Sequence, residues 1–213
     1  MKIFLFGGTG LTEDLVKHEL KLIEEVIREI DVKQILHIPF ARVGPGKGPW
    51  AGDWVQRYIN LDGKEYLNAK NEKDMAKVNH PLIFISGGSK SATLLNRVKS
   101  DPQLIDLIQK ADYIIGESAG AKVLGKYLRV TEADGQNQLV KGLGIIKDTL
   151  IEPHYTENKR QQLLIEEMKK TGVRFGVGID CQTGLEFEID KFPEEYKKIG
   201  TGTVTIKTNS SKF

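Results

Sequence analysis

Short β-rich apolar runs alternate with segments of helical periodicity from one end of this chain to the other, and no repeat or low-complexity stretch interrupts them. Lys2–Phe6 is a compact apolar run stopped by Gly7-Gly8. Thr12 then reads as an N-cap, with Glu13 and Asp14 placed for the helix dipole. Leu15, Glu19, Leu22, Val26 and Ile30 recur at spacings of three or four, and Leu20, Ile23 and Ile27 widen the stripe into an amphipathic helix. Gln34–Phe40, Pro81–Ser86 and Asp112–Ile115 read as three further strands, with a loop at Gly44–Gly48. Asp101-Pro102 is a helix start with proline at the first helical position. Beyond Gly120 a helix is predicted to about Leu128, with another over Asn158–Lys170. Val173–Ile179, Gly184–Ile189 and Thr201–Lys207 read as late strands.

Strand, helix, strand, helix in that order calls for a mainly parallel sheet covered by helices on both faces, a three-layer α/β/α sandwich. The strand-rich last part is expected to add antiparallel edge strands. No linker stands out, so residues 1–213 read as one α/β domain. In such sheets, sites gather at the carboxyl ends of the strands, which directs attention to the loops after residues 6, 40, 86 and 115.

Composition narrows the function. Lys+Arg 31 against Asp+Glu 29 leaves a formal charge of +2, too balanced for a phosphate-neutralising nucleic-acid binder. No apolar run approaches the roughly 18 residues of a membrane span. The apolar stretch Ile3–Phe6 is too short for a signal-peptide core. The single cysteine, Cys181, cannot form an intramolecular disulfide, and a cytoplasmic location is expected.

The loop after the fourth strand reads Gly116-Glu117-Ser118-Ala119-Gly120, a G-x-S-x-G pattern between a strand and a helix. A serine on so tight a turn has strained backbone angles, and flanking side chains would collide with neighbouring elements. Glycine and alanine at those positions relieve the crowding. The hydroxyl then stands above the sheet at a helix start, where negative charge is favoured. Alone, the pattern also describes a helix N-cap between two permissive glycines, so a base and an oxyanion hole are needed. Four histidines compete as the base. His18 falls within the first helix, His37 alternates within a strand and His80 precedes Pro81. His154 follows an apolar strand that Pro153 halts, which puts it on a strand-end loop where a base can reach a serine. H-x-x-x-H and H-E-x-x-H are absent, and one cysteine cannot build a zinc site, so neither a metal nor an organic cofactor is expected.

At these residues the chain resembles the peptidase E family, serine dipeptidases that cleave after an N-terminal aspartate and are related to cyanophycinases. Ile38-Pro39-Phe40-Ala41, Ile83–Gly88, Gly116–Ala121 and Glu152-Pro153-His154-Tyr155-Thr156 are similar to four family blocks in the same order. The resemblance implies a fold like that of class I glutamine amidotransferases, with flavodoxin-like layering. It makes Ser118 the nucleophile, His154 its base, and the amides of Gly87, Gly88 and Ala119 the oxyanion hole. It also implies a small-peptide substrate, no nucleic-acid or membrane partner, and a monomer or homodimer.

Two differences from the family pattern bear on the site. Its glycine triplet is followed by Asn-Thr, in residues that line the substrate cleft; here Ser89 and Lys90 stand there. Its histidine-orienting glutamate falls in a late G-I-D-E block; here that block is Gly178-Ile179-Asp180-Cys181. A neutral thiol is a poor acceptor, so another carboxylate is expected to orient His154. Asp180 is nearest, although neighbours on a strand face opposite sides; Glu117 and Glu186 are the other candidates. Gly7–Gly10 and Gly44–Gly48 lack the residues of phosphate-binding loops and read as turns. Trp50 and Trp54 read as a helix packing pair, and Cys181 as an unreactive thiol. An esterase built on the same elbow and an idle peptide- or acid-binding relative are the alternatives to a peptidase.

Overall fold

The computed structural model describes residues 1–10, 13–42, 54–131 and 136–209. Thr12, the 44–48 loop and Trp50 lie outside the described residues. The elements run β1 (Lys2–Phe6), α1 (Glu13–Glu29), β2 (Gln34–Ile38), α2 (Trp54–Tyr58), β3 (Glu65–Asn68), α3 (Glu72–Met75), β4 (Leu82–Ile85), α4 (Ser91–Lys99) and α5 (Pro102–Lys110). They continue with β5 (Tyr113–Glu117), α6 (Ala119–Leu124), β6 (Tyr127–Thr131), β7 (Asn137–Lys141), β8 (Thr149–Pro153), α7 (Gln161–Thr171), β9 (Phe175–Ile179), β10 (Thr183–Glu188), β11 (Lys197–Gly200) and β12 (Val204–Thr208).

The main sheet has the order β11-β10-β1-β5-β4-β2-β3. Its pairs from β1 to β3 are parallel, while β10 and β11 add antiparallel edges. Burial on both faces explains the apolar strands. Ile3 and Leu5 of β1, with Ile83 and Ile85 of β4, pack into a core with Leu94, Leu95 and Val98 of α4, Leu104 and Ile108 of α5 and Val123 and Leu124 of α6. Phe4 and Phe6, with Leu82 and Phe84, face the opposite way onto Val16, Leu20, Ile23, Val26 and Ile27 of α1. Each such side chain contributes about 1.5–3 kcal/mol when fully buried. The α/β sandwich expected from the alternation is the fold observed.

A second sheet, β12-β9-β8-β6-β7, was not foreseen. Its centre, β6-β8-β9, is parallel, with antiparallel β7 and β12 at the edges. Helix α7 packs Leu164 and Met168 onto Leu150, Tyr155 and Val173. Thus β9 and β12, two of the three late strands, do not extend the main sheet.

Two helix bounds also move. The helix read to Leu128 stops at Leu124, because Gly125 is extended (φ −68, ψ 172) and the Lys126 N–H donates to the Thr149 carbonyl at 2.8 Å, turning the chain into β6. The helix read from Asn158 starts at Gln161; before it, the Asn158 N–H donates to the His154 carbonyl and the Arg160 N–H to the Tyr155 carbonyl, forming a turn.

Helix α6 lies so close to β4 that a Cβ on Gly120 would sit 1.8 Å from the Ile85 carbonyl oxygen. Gly120→Ala therefore forces helix and strand apart and should destabilise the fold by about 1–3 kcal/mol. A urea titration tests this, and an unchanged midpoint would refute the close packing.

Candidate active site

Strands β1, β4 and β5 end side by side, and the site is built across those ends. Ser118 follows β5 with φ 50 and ψ −110, backbone angles costly for a residue with a Cβ. The conformation is held because the Ser118 N–H donates to the Phe6 carbonyl at 2.9 Å and the Lys122 N–H to the Ser118 carbonyl at 3.1 Å. His154 follows β8, also with positive φ, and its N–H donates to the Gly7 carbonyl at 3.0 Å. The two sheets thus deliver the two side chains to one point: Ser118 Oγ lies 3.0 Å from His154 Nε2. Gly8, at φ +100, lies behind both, and a Cβ there would be 2.6 Å from Nε2 and 3.0 Å from the serine Cβ. Burial pushes the His154 pKa down, with the Glu117 carboxylate pulling the other way. A ring kept neutral can accept the serine proton.

The other nitrogen, Nδ1, lies 3.0 Å from Cys181 Sγ. Asp180, the carboxylate expected to orient the ring, is not brought to it. Its Oδ1 accepts from the Thr156 N–H at 3.1 Å and its Oδ2 from the Thr203 N–H at 2.9 Å. The cause is the alternation of side chains at the end of β9, which turns Cys181 toward the histidine and Asp180 away. The other two candidates are also engaged elsewhere. Glu186 pairs with Lys2 at 2.7 Å and Lys197 at 3.5 Å, and the buried Glu117 accepts from the Gly87 N–H at 2.5 Å. That bond also revises the oxyanion expectation. The Gly87 amide is committed to Glu117, while Gly88 and Ala119 line the cavity beside Ser118.

The remaining histidines stand apart from this chemistry. His37 is fully buried, with Nε2 2.8 Å from Ser86 Oγ and Nδ1 2.8 Å from Tyr66 Oη. His18 is half-buried on α1, and His80 is exposed. Glu19, read as part of the α1 stripe, is fully buried and reaches behind the site, accepting from the Gln182 N–H at 3.1 Å. Burial, reinforced by Glu117, pushes its carboxyl well up. Trp54 opens α2.

A cavity of about 550 Å³ opens over Ser118. Ser89 lines it, as expected; Lys90 does not and instead precedes α4, where its N–H donates to the Ala41 carbonyl. The sequence reading missed the basic wall formed by Lys122, Arg129 and Arg160. Fully buried Glu152 organises that wall: Arg129 Nη2 lies 2.9 Å, Arg160 Nη1 2.5 Å and Lys122 Nζ 4.0 Å from its carboxylate. Glu167 adds a second carboxylate, 3.3 Å from Arg129. Arg129 falls just past the helix read to Leu128 and belongs to no motif, and no local pattern pairs Arg160 with Glu152 eight residues earlier. Among the described residues, no group of three His, Cys, Asp or Glu side chains is arranged to hold a metal ion, and no helix is long and apolar enough to cross a membrane.

A strained serine on a strand–helix elbow, bonded to a histidine on an α/β sandwich, defines the serine hydrolase class. The sequence profile of peptidase family S51 matches residues 3–194, and the chain belongs to that family of serine peptidases. A cyanophycinase of Synechococcus elongatus is 32% identical over 151 residues, covering 65% of this chain and 45% of that protein. One from Geminocystis herdmanii (strain PCC 6308) is 28% identical over 138 residues, covering 58% and 48%. The chain spans about half the length of these curated relatives. A crystallised peptidase from an acI-B1 Actinobacterium superposes with a TM-score of 0.56 at 21% identity, covering 99% of this chain and 95% of that one. A putative peptidase E protein from Listeria monocytogenes EGD-e does so with a TM-score of 0.59 at 16% identity, covering 98% of each. At those identities the likeness establishes the fold.

Burial and the surrounding Glu157, Glu19 and Asp180 carboxylates push the Cys181 thiol pKa far up, so it should stay protonated and inert. Titration with a chromogenic disulfide at pH 8 should show no reaction in the native state and one thiol after unfolding. Rapid native reaction would contradict this environment.

Proposed function

We propose that the chain is a serine peptidase that hydrolyses small peptides through an acyl-enzyme on Ser118. The observation that carries this reading is the 3.0 Å contact between the strained serine and the half-buried histidine, whose pKa is held down. His154 Nε2 takes the hydroxyl proton as Oγ attacks the carbonyl, and returns it to the leaving amine. Water then repeats the sequence on the ester. The Gly88 and Ala119 amides are the donors available to the oxyanion; one such donor is worth roughly 10²–10³ in rate.

The basic wall favours an acidic substrate. Lys122, Arg129 and Arg160 outnumber Glu152 and Glu167 by three to two, leaving one positive charge beside the nucleophile. A carboxylate on the residue before the cleaved bond would satisfy it, which supports dipeptides of the Asp-X type. The cyanophycinase relatives make cyanophycin the second substrate to test.

Assays over dipeptides, isoaspartyl peptides and cyanophycin test the proposal. Ser118→Ala should lose activity by about 10⁶-fold. Activity surviving in that variant, or no hydrolysis of any substrate by the parent protein, would overturn it. The pH profile gives a second check. Because the neutral ring is the base and burial holds its pKa below 6.5, kcat/KM should rise with pH through a midpoint below 6.5 and then level off. A midpoint above that value would mean that the imidazolium is favoured and the environment misread.

A further inference from the structure

The position that bonds His154 Nδ1 is filled by a group with no charge, yet a carboxylate stands directly behind it. Glu157, on the turn after the histidine, accepts the Cys181 backbone N–H through Oε1 at 2.9 Å, which sets its carboxylate beside the cysteine. The chain of contacts therefore runs from Ser118 Oγ to His154 Nε2, from His154 Nδ1 to Cys181 Sγ, and from the Cys181 amide to Glu157.

A thiol has one proton. If that proton pointed at Nδ1, the ring would carry its own proton on Nε2 and could not accept from the serine. The Thr9 carbonyl, 3.6 Å from Sγ, accepts that proton, and the Glu157 carboxylate, bonded to the amide of the same residue, favours the proton turned away from the ring. Only Glu157 brings charge. With the thiol proton turned outward, Sγ offers a lone pair to the Nδ1–H, and the dipole of the S–H bond passes the carboxylate's charge toward the ring.

We propose that Glu157 is a positioning residue for the reaction: acting through the Cys181 thiol, it keeps the His154 proton on Nδ1 and supplies the negative charge that the thiol lacks when the imidazolium forms. The idea rests on Ser118 and His154 being the reacting pair. No proton crosses the sulfur; the ring gains one proton from the serine, returns it to the leaving group, and the thiol stays a thiol throughout. The charged groups facing the ring are Glu117, Arg160, Glu157 and Lys122, and those facing the thiol are Glu157, Glu19 and Asp180. Glu117 is held by the Gly87 amide, Lys122 and Arg160 are engaged with Glu152, Glu19 accepts the Gln182 N–H and Asp180 the Thr156 and Thr203 N–H groups, which leaves Glu157, bonded to the Cys181 amide, to act by way of the sulfur.

Glu157→Gln isolates the charge, because the amide oxygen can still accept the Cys181 N–H and the residue is exposed. Nitrogen NMR of labelled His154 reads tautomer and titration without any substrate. In Glu157→Gln its pKa should fall by about one unit, since losing a carboxylate disfavours the charged ring, and the Nδ1–H population should drop. The acid limb of kcat/KM should move down by the same amount, and kcat should fall about tenfold with KM unchanged. In a Cys181→Ala background the added Glu157→Gln change should have little further effect. An unshifted His154 titration in Glu157→Gln would overturn the proposal. So would an equal shift with Cys181→Ala, because Glu157 would then act through space. If no substrate is cleaved but the NMR shift is present, the peptidase reading fails while this coupling stands.

Discussion

The backbone of Ser118 is the constraint around which the rest of the site is arranged. A residue at φ 50 and ψ −110 stays there only if its surroundings leave no alternative. Here they do so from three sides. The Phe6 carbonyl at the end of β1 holds the Ser118 amide, Gly120 lets α6 rest on the end of β4, and Gly8 leaves room for the histidine ring. Two of these contacts come from β1 and the loop after it and one from the end of β4, so the strain is supported by the register of the main sheet. That sheet is fixed in turn by apolar burial on both faces, with alternate residues of β1 and β4 assigned to α1 or to α4, α5 and α6.

The second sheet solves a different problem. It carries His154 at the end of β8, and Glu152, two residues earlier, gathers the basic residues of the cavity wall. Removing one partner of such a buried ion pair typically costs 3–5 kcal/mol. The strand that positions His154 therefore also organises the cavity's charge. Two further buried carboxyl groups are engaged by backbone amides, Glu117 by the Gly87 N–H and Glu19 by the Gln182 N–H.

Much of this was legible in the sequence because its causes are local. The strand–helix alternation gave the main sheet, and the small residues around Ser118 marked the elbow. Pro153 marked the strand end that places His154. What escaped depends on contacts distant along the chain. Nothing in the sequence assigns β9 to the second sheet and β10 to the first, since both read only as short strands and their partners are distant along the chain. Glu19 passed for a stripe residue because its spacing fits the helix, although its carboxylate serves loops 163 residues away at Gln182. Strand alternation correctly warned that Asp180 and Cys181 face opposite ways. The preference for a carboxylate as the third residue overrode that warning, and the geometry shows the thiol in place.

The assignment of Ser118 as a nucleophile activated by His154 is tested most directly by covalent labelling. Intact protein treated with a fluorophosphonate should gain one adduct, and peptide mass spectrometry should map it to Ser118. His154→Ala should slow the reaction by orders of magnitude while leaving the fold unchanged by circular dichroism. Absence of labelling in the folded protein, an adduct on another residue, or equal labelling of His154→Ala would contradict the assignment.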